Sequence, residues 1–62
     1  MLSPNLDVSA LVTEKDAARF LSMSFRTLQA WRSEGKGPPY LKLGRSIRYR
    51  MSDLLAWIEK QI

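Results

Sequence analysis

The 62-residue sequence contains no cysteine and no histidine. Disulfides are therefore excluded, and with them the thiolate and imidazole sets that usually hold zinc. The sequence has no apolar run near the ~18 residues of a membrane span. Its N-terminus lacks the basic-then-apolar order of a secretory signal. It also lacks paired carboxylates with an obvious pocket and a glycine-rich phosphate loop. Glu14, Asp16, Glu34, Asp53 and Glu59 read as capping or surface acids, so an enzyme is not expected, nor a cofactor or metal. A chain this short is one domain at most and marginally stable. Its core must come from aliphatic side chains and two tryptophans. The absence of cysteine fits a reducing cytoplasm.

What is present is a segregated charge. The formal net charge is +4. Residues 1–25 carry two cations against three acids, and residues 51–62 one against two. Residues 26–50 carry seven cations against one acid: Arg26, Arg32, Lys36, Lys42, Arg45, Arg48 and Arg50 against Glu34. Basic charge confined to the middle of a chain points to a polyanion partner. A solvated basic face on an ordinary domain is the plainer alternative.

Local patterns divide the chain into short elements. Met1–Ala10, with Pro4, Asn5 and two serines, reads as a loose arm that could be ordered near its end. Thr13 is placed to cap a first helix, with Glu14 and Asp16 suited to its positive end. Ala17, Ala18 and Leu21 form its apolar stripe, and the alanines permit close approach of a neighbouring helix. The helix ends near Leu21. Ser22-Met23-Ser24 has the length of the turn between two such helices, with Met23 plugging their angle and Ser24 capping the next.

The second helix is expected from about Phe25 to Glu34, ended by Gly35 as a left-handed cap. At about 100° per residue, Leu28 and Trp31 define its inward side. Arg26, Gln29, Ala30 and Ser33 then face away, with Thr27 and Arg32 on the flanks. Arginine can make paired bonds to guanine, glutamine to adenine, and alanine can touch a thymine methyl. Lys36-Gly37-Pro38-Pro39 cannot be helix, and its tandem prolines favour an extended chain. Period-two alternation in Tyr40–Leu43 and Ile47–Arg50 around Gly44-Arg45-Ser46 predicts a hairpin. Leu41, Leu43, Ile47 and Tyr49 would form its apolar face. Lys42, Arg48 and Arg50 would form a basic face, with Arg45 at the tip. Ser52 is placed to cap a third helix, in which Leu54, Trp57 and Ile58 should be buried and Leu55 partly covered.

Taken in order, these pieces resemble a known family. The residues carrying the likeness are Ala17-Ala18 with Leu21, Ser24, Thr27-Leu28 and Trp31, then Gly35-Lys36-Gly37-Pro38-Pro39. Gly44-Arg45, Arg48-Tyr49-Arg50 and Ser52-Asp53-Leu54 with Trp57-Ile58 complete it. Over residues 11–60 the layout resembles the excisionase-like and MerR-like winged helix-turn-helix domains of phage and bacterial regulators, AlpA-type prophage regulators among them. The resemblance implies a mostly α fold in the order α-α-β-β-α, occupying residues 11–62. It implies a second helix in the major groove of double-stranded DNA and a two-stranded wing on the adjacent backbone or minor groove. Ser24, Arg26 and Thr27 would lie at the DNA-facing start of that helix, and Arg45 with its neighbours on the wing. Phe25 departs from the expected polar residue; resting on a sugar, packing on the first helix and meeting a partner protein are all open to it.

The expected DNA-binding set is Ser24, Arg26, Thr27, Gln29, Ala30, Arg32, Arg45, Ser46, Arg48 and Arg50. Arg26, Gln29 and Ala30 would sit near base edges; Ser24, Thr27 and Arg32 would fix the backbone; the wing residues would clamp it. Arg32 could instead pair with a nearby acid. Arg48, Arg50 and Lys42 could be no more than solvated hairpin edges. Trp31, Trp57 and Tyr49 read as core rather than as stacking platforms for bases; Tyr40 is ambiguous. A protein-interaction module on the same scaffold is the competing class. With no coiled coil or effector domain in the sequence, a monomer in solution that binds cooperatively on adjacent DNA sites is expected. An excisionase working with an integrase, or a transcription regulator working with RNA polymerase, would use the same module.

Overall fold

A computed structural model describes residues 9–62 of the chain. It contains three helices and a three-stranded antiparallel sheet: β1 (Leu11–Thr13), α1 (Glu14–Phe20), α2 (Phe25–Ser33), β2 (Leu41–Leu43), β3 (Ser46–Arg50) and α3 (Met51–Lys60). The expected α-α-β-β-α order is present, preceded by a strand that periodicity did not reveal. Of the arm expected over residues 1–10, residues 1–8 lie outside the described residues.

Both helix starts follow their local chemistry. Thr13 Oγ1 accepts a hydrogen bond from the Asp16 amide at 3.1 Å, and Ser24 Oγ accepts one from the Arg26 amide at 3.1 Å. Each side chain satisfies an amide that has no partner within its helix. Both helix ends are double-bonded reversals of the Schellman type. After α1, the Met23 amide donates to the Ala18 carbonyl (2.9 Å) and the Ser22 amide to Arg19 (3.0 Å). After α2, the Lys36 amide donates to Trp31 (2.9 Å) and the Gly35 amide to Arg32 (3.2 Å). This motif requires a left-handed residue just past the cap. Gly35 takes it at φ 75°, but at the first reversal the residue is Ser22, at φ 55°.

The tight turn brings α2 against α1. Ala17 and Ala18 are fully enclosed and, with Leu28, Tyr49 and Leu54, make up the core. Val12, Leu21, Phe25, Trp31, Ile47 and Met51 pack around it. Phe25 thereby takes the second of its three expected roles: it packs on the core, with the Lys15 ammonium of α1 5.6 Å from its ring centroid. After α2, Gly37 lies at φ 88° with its α-carbon against Trp31, where a β-carbon would fall 3.0 Å from the indole. Pro38 follows, buried.

Strand order in the sheet is β1-β3-β2, so β3 is central. Leu11, Val12 and Thr13 face Arg50, Tyr49 and Arg48, while Leu41, Lys42 and Leu43 face Arg48, Ile47 and Ser46. This register corrects the expected hairpin faces. The loop is two residues, Gly44-Arg45, not three, with Gly44 supplying the positive φ at its first position. Directly opposed residues of an antiparallel pair share a face, and a slip of one residue inverts the whole strand. Lys42 therefore shares a face with Ile47 and Tyr49. Leu41 and Leu43 share the other with Arg48 and Arg50, and Leu43 is 51% exposed.

The third helix also departs from expectation. It starts at Met51, so Ser52 lies inside its first turn, and Arg50 occupies the cap position with no side-chain capping bond. The Met51 amide instead donates to the Ala10 carbonyl at 3.0 Å. The chain just before β1 thus does the work assigned to Ser52. Leu54 is fully buried, but Trp57 and Ile58 are only half-buried and Leu55 is exposed.

Two substitutions test the backbone account in opposite directions. Ser22→Gly removes the strain of a left-handed serine and should stabilise by about 0.5–1 kcal/mol, raising Tm by roughly 4 °C. Gly37→Ala keeps the left-handed backbone and adds a β-carbon against Trp31. It should destabilise by about 1–3 kcal/mol in chemical denaturation.

Candidate nucleic-acid interface

The outward face of α2 is the first component. Arg26, Gln29, Ala30 and Ser33 are exposed while Leu28 is fully buried, as the helical spacing requires. Thr27 on the flank is half-buried. Ser24 is exposed, and its hydroxyl is engaged in capping α2. The Arg26 guanidinium has no hydrogen-bond or ion-pair partner among the described residues.

The hairpin is the second component. Arg45 at the tip and Lys42 on β2 are exposed, and neither side chain has a partner among the described residues. Ser46 is exposed beside the tip. Arg48 is half-buried and donates from Nη1 to the Ile47 carbonyl at 2.8 Å. Arg50 lies 3.7 Å from the Asp53 carboxylate, both partly exposed. Lys36, between α2 and the hairpin, lies 3.3 Å from Glu34 on the surface.

Arg32 behaves differently from the other cations. Its Nε donates to Glu14 Oε2 at 2.7 Å and its Nη2 to Glu14 Oε1 at 3.2 Å. The guanidinium thus pairs with an acid, the second of its two expected roles. The Tyr49 hydroxyl donates to the same Glu14 Oε2 at 3.2 Å. Glu14, expected as a surface capping acid, is instead 7% exposed. Among the described residues no buried side-chain polar atom lacks a partner. The Glu14 bond holds Arg32 still more firmly cationic than usual. Burial, reinforced by the Glu14 charge and hydrogen bond, pushes the Tyr49 hydroxyl up to about 12 from 10.0. Tyr49 therefore stays a donor across the physiological range. In the sequence Glu14 looked like any first-turn acid; only its separation from Arg32 and Tyr49 across the fold marks it out.

The tryptophans complete the picture. The rings of Trp31 and Trp57 stand 5.7 Å apart at 55°, both half-buried. With Lys36, Gly37 and Gln61 they line a cleft open to solvent at the far end of α2. They pack on one another at the margin of the core. Tyr40, the ambiguous aromatic, is partly exposed, its ring 6.2 Å from that of Tyr49 and 5.9 Å from the Arg32 guanidinium.

Two helices meeting through a tight reversal, a hairpin beside them and a third helix behind define a winged helix-turn-helix domain. Residues 11–62 match the model of a family described as a helix-turn-helix domain, and the chain belongs to that family. No individual curated protein matches the sequence. The family match supports a DNA-binding helix-turn-helix protein, of a type that is typically non-enzymatic. Among the described residues no helix is long and apolar enough to cross a membrane.

The Tyr49 environment predicts a pH dependence. Between pH 10 and about 12 the unfolded chain releases this proton while the folded chain keeps it. The associated stability is fully present below pH 10 and is lost as pH rises through about 12. Urea denaturation from pH 8 to 11.5 should show the wild type losing stability faster above pH 10 than Tyr49→Phe. Parallel curves would contradict the buried, Glu14-facing hydroxyl.

Proposed function

We propose that the domain binds double-stranded DNA with α2 in the major groove and the β2–β3 wing against the adjacent backbone. The observation that carries this reading is the outward face of α2: an Arg26 in its first turn with no partner among the described residues, followed by Gln29 and Ala30. Arg26 is the base reader, with Gln29 and Ala30 beside it. Ser24 and Thr27 fix α2 on the backbone, the serine chiefly by holding the helix start. On the wing, Arg45 is the principal clamp, since its guanidinium has no partner among the described residues, with Ser46 next to it and Lys42 available nearby. Arg48 and Arg50 contribute less, because each already has a partner within the chain. Arg32 is the residue moved out of the contact set: its two bonds to Glu14 give it a scaffold role.

Within that reading, the protein is a small excisionase-type or AlpA-like regulator of a phage or mobile element. It acts as a monomer in solution that assembles cooperatively on adjacent sites. An excisionase bends DNA for an integrase, so a large measured bend next to an attachment site favours that role. Promoter footprinting with a change in RNA polymerase occupancy favours the regulator. The open Trp31–Trp57 cleft is the specific observation behind a second reading, a protein-binding module.

Fluorescence anisotropy with a selected duplex at several salt concentrations separates the readings. Each neutralised phosphate adds about −0.9 to the log–log slope. Arg26→Ala should cost about 1–3 kcal/mol on the preferred site and little on random duplex, relaxing preference. Arg45→Ala should weaken all duplexes alike and flatten the slope by roughly one phosphate. No duplex binding at low salt would leave the protein-module reading; equal loss on all sequences for Arg26→Ala would remove its base-reading role.

A further inference from the structure

The recognition helix and the wing must engage one duplex together, yet α2 has little direct packing against the sheet. It packs chiefly on α1, and α1 in turn packs on β1 and β3. Leu28 of α2 and Tyr49 of β3 share the buried core, and the polar tie between the two elements runs through α1. One carboxylate, on Glu14 of α1, accepts from Arg32 of α2 at 2.7 and 3.2 Å and from Tyr49 of β3 at 3.2 Å. The three residues are separated by 18 and 35 positions along the chain, so no local turn duplicates the link. Tyr40, just before β2, extends it by placing its ring near both Arg32 and Tyr49.

Resting on the DNA-binding reading, we infer that the Arg32–Glu14–Tyr49 network is a positioning device that sets the angle of the wing relative to the recognition helix. Tyr49 opposes Val12 on the central strand, and β3 runs from there back to the hairpin tip. Arg45 at the tip lies roughly 14 Å along the strand from Tyr49, at ~3.4 Å per residue. A small rotation at Tyr49 therefore moves Arg45 by a large fraction of a phosphate spacing. The two bonds of the planar guanidinium fix direction as well as distance, which a lysine could not do. Arg32, Glu14 and Tyr49 touch no DNA in this scheme; they act through Arg45.

The test is a double-mutant cycle on duplex affinity. Tyr49→Phe deletes the hydroxyl and keeps the ring. If the hydroxyl positions the wing, Tyr49→Phe weakens duplex binding about fivefold and flattens the salt slope by about as much as Arg45→Ala does. The Arg45→Ala loss, about tenfold in the wild type, then shrinks to twofold or less in the Tyr49→Phe background. Discrimination between preferred and random duplex, carried by Arg26, stays unchanged. Arg32→Lys × Arg45→Ala repeats the cycle with charge retained, and circular dichroism confirms folding at the assay temperature. A merely structural hydroxyl lowers Tm but leaves the Arg45→Ala loss the same in both backgrounds, which overturns the inference while DNA binding stands. Failure of the wild type to bind any duplex overturns the DNA reading and the inference with it.

Discussion

The Glu14 carboxylate is the constraint around which the domain is arranged. A charge removed from water costs several kcal/mol unless donors surround it. Here it receives three hydrogen bonds, two from a guanidinium and one from a phenol. Each donor comes from a different part of the chain, so the cost is offset only when α1, α2 and β3 are all in place. Such a group penalises partly assembled states more than it stabilises the native one. That property suits a chain whose buried apolar core, among the described residues, is five side chains, two of them alanine, and which has no cysteine. Apolar burial supplies the drive to collapse; the carboxylate selects among the collapsed arrangements.

The backbone is bent to serve the same end. The two Schellman reversals satisfy the last carbonyls of α1 and α2 and set the angle between them. The second uses glycine and costs little; the first places Ser22 in the left-handed region. That strain is tolerated because the turn is held on both sides, by Met23 bonding back to Ala18 and by Ser24 capping α2. Gly37 then lets the chain cross the face of Trp31 without a side chain in the way, and the buried Pro38 fixes its exit toward β2. These residues set the course of the chain from α2 toward the wing, while the Arg32–Glu14–Tyr49 bonds tie the two elements across it.

Features written in local chemistry were legible in the sequence. Thr13, Ser24 and Gly35 announce helix ends through side-chain oxygens and a missing β-carbon, and Leu28 with Trp31 orients α2 through spacing alone. What could not be read depends on contacts remote in sequence. Whether Ser46 belongs to the loop or the strand is invisible locally, and that one residue decides whether Leu41 and Leu43 share a face with Tyr49 or with Arg48. β1 spans three residues, too few to display a period. Ser52 looked like a cap because the true acceptor for Met51 is the Ala10 carbonyl, forty-one residues earlier. Glu14 looked like a helix-dipole acid because it occupies that position too. Of the candidate site, the exposed face of α2 was readable from spacing, and the separate commitments of Arg32, Arg48 and Arg50 were not.

Those commitments rank the basic residues in a way that net charge cannot. Arg26, Lys42 and Arg45 have no side-chain partner among the described residues to give up on approaching an anion. Lys36 and Arg50 are tied by surface pairs that are mostly exposed, at 3.3 and 3.7 Å. Pairs of that kind contribute about 0–1 kcal/mol, so a phosphate can recruit either cation at small cost. Arg32 is different: releasing it would strand a nearly buried carboxylate, a cost of several kcal/mol that a single phosphate contact does not recover. The net positive charge of residues 26–50 supplies the field that attracts a polyanion within the ~8–10 Å screening length, and the acids paired with Arg32, Lys36 and Arg50 subtract from it. In the proposed DNA complex, the close contacts follow from which cations can leave their partners. A basic surface built this way attracts broadly and docks narrowly, and the selectivity lies in the acids that hold cations back as much as in the cations themselves.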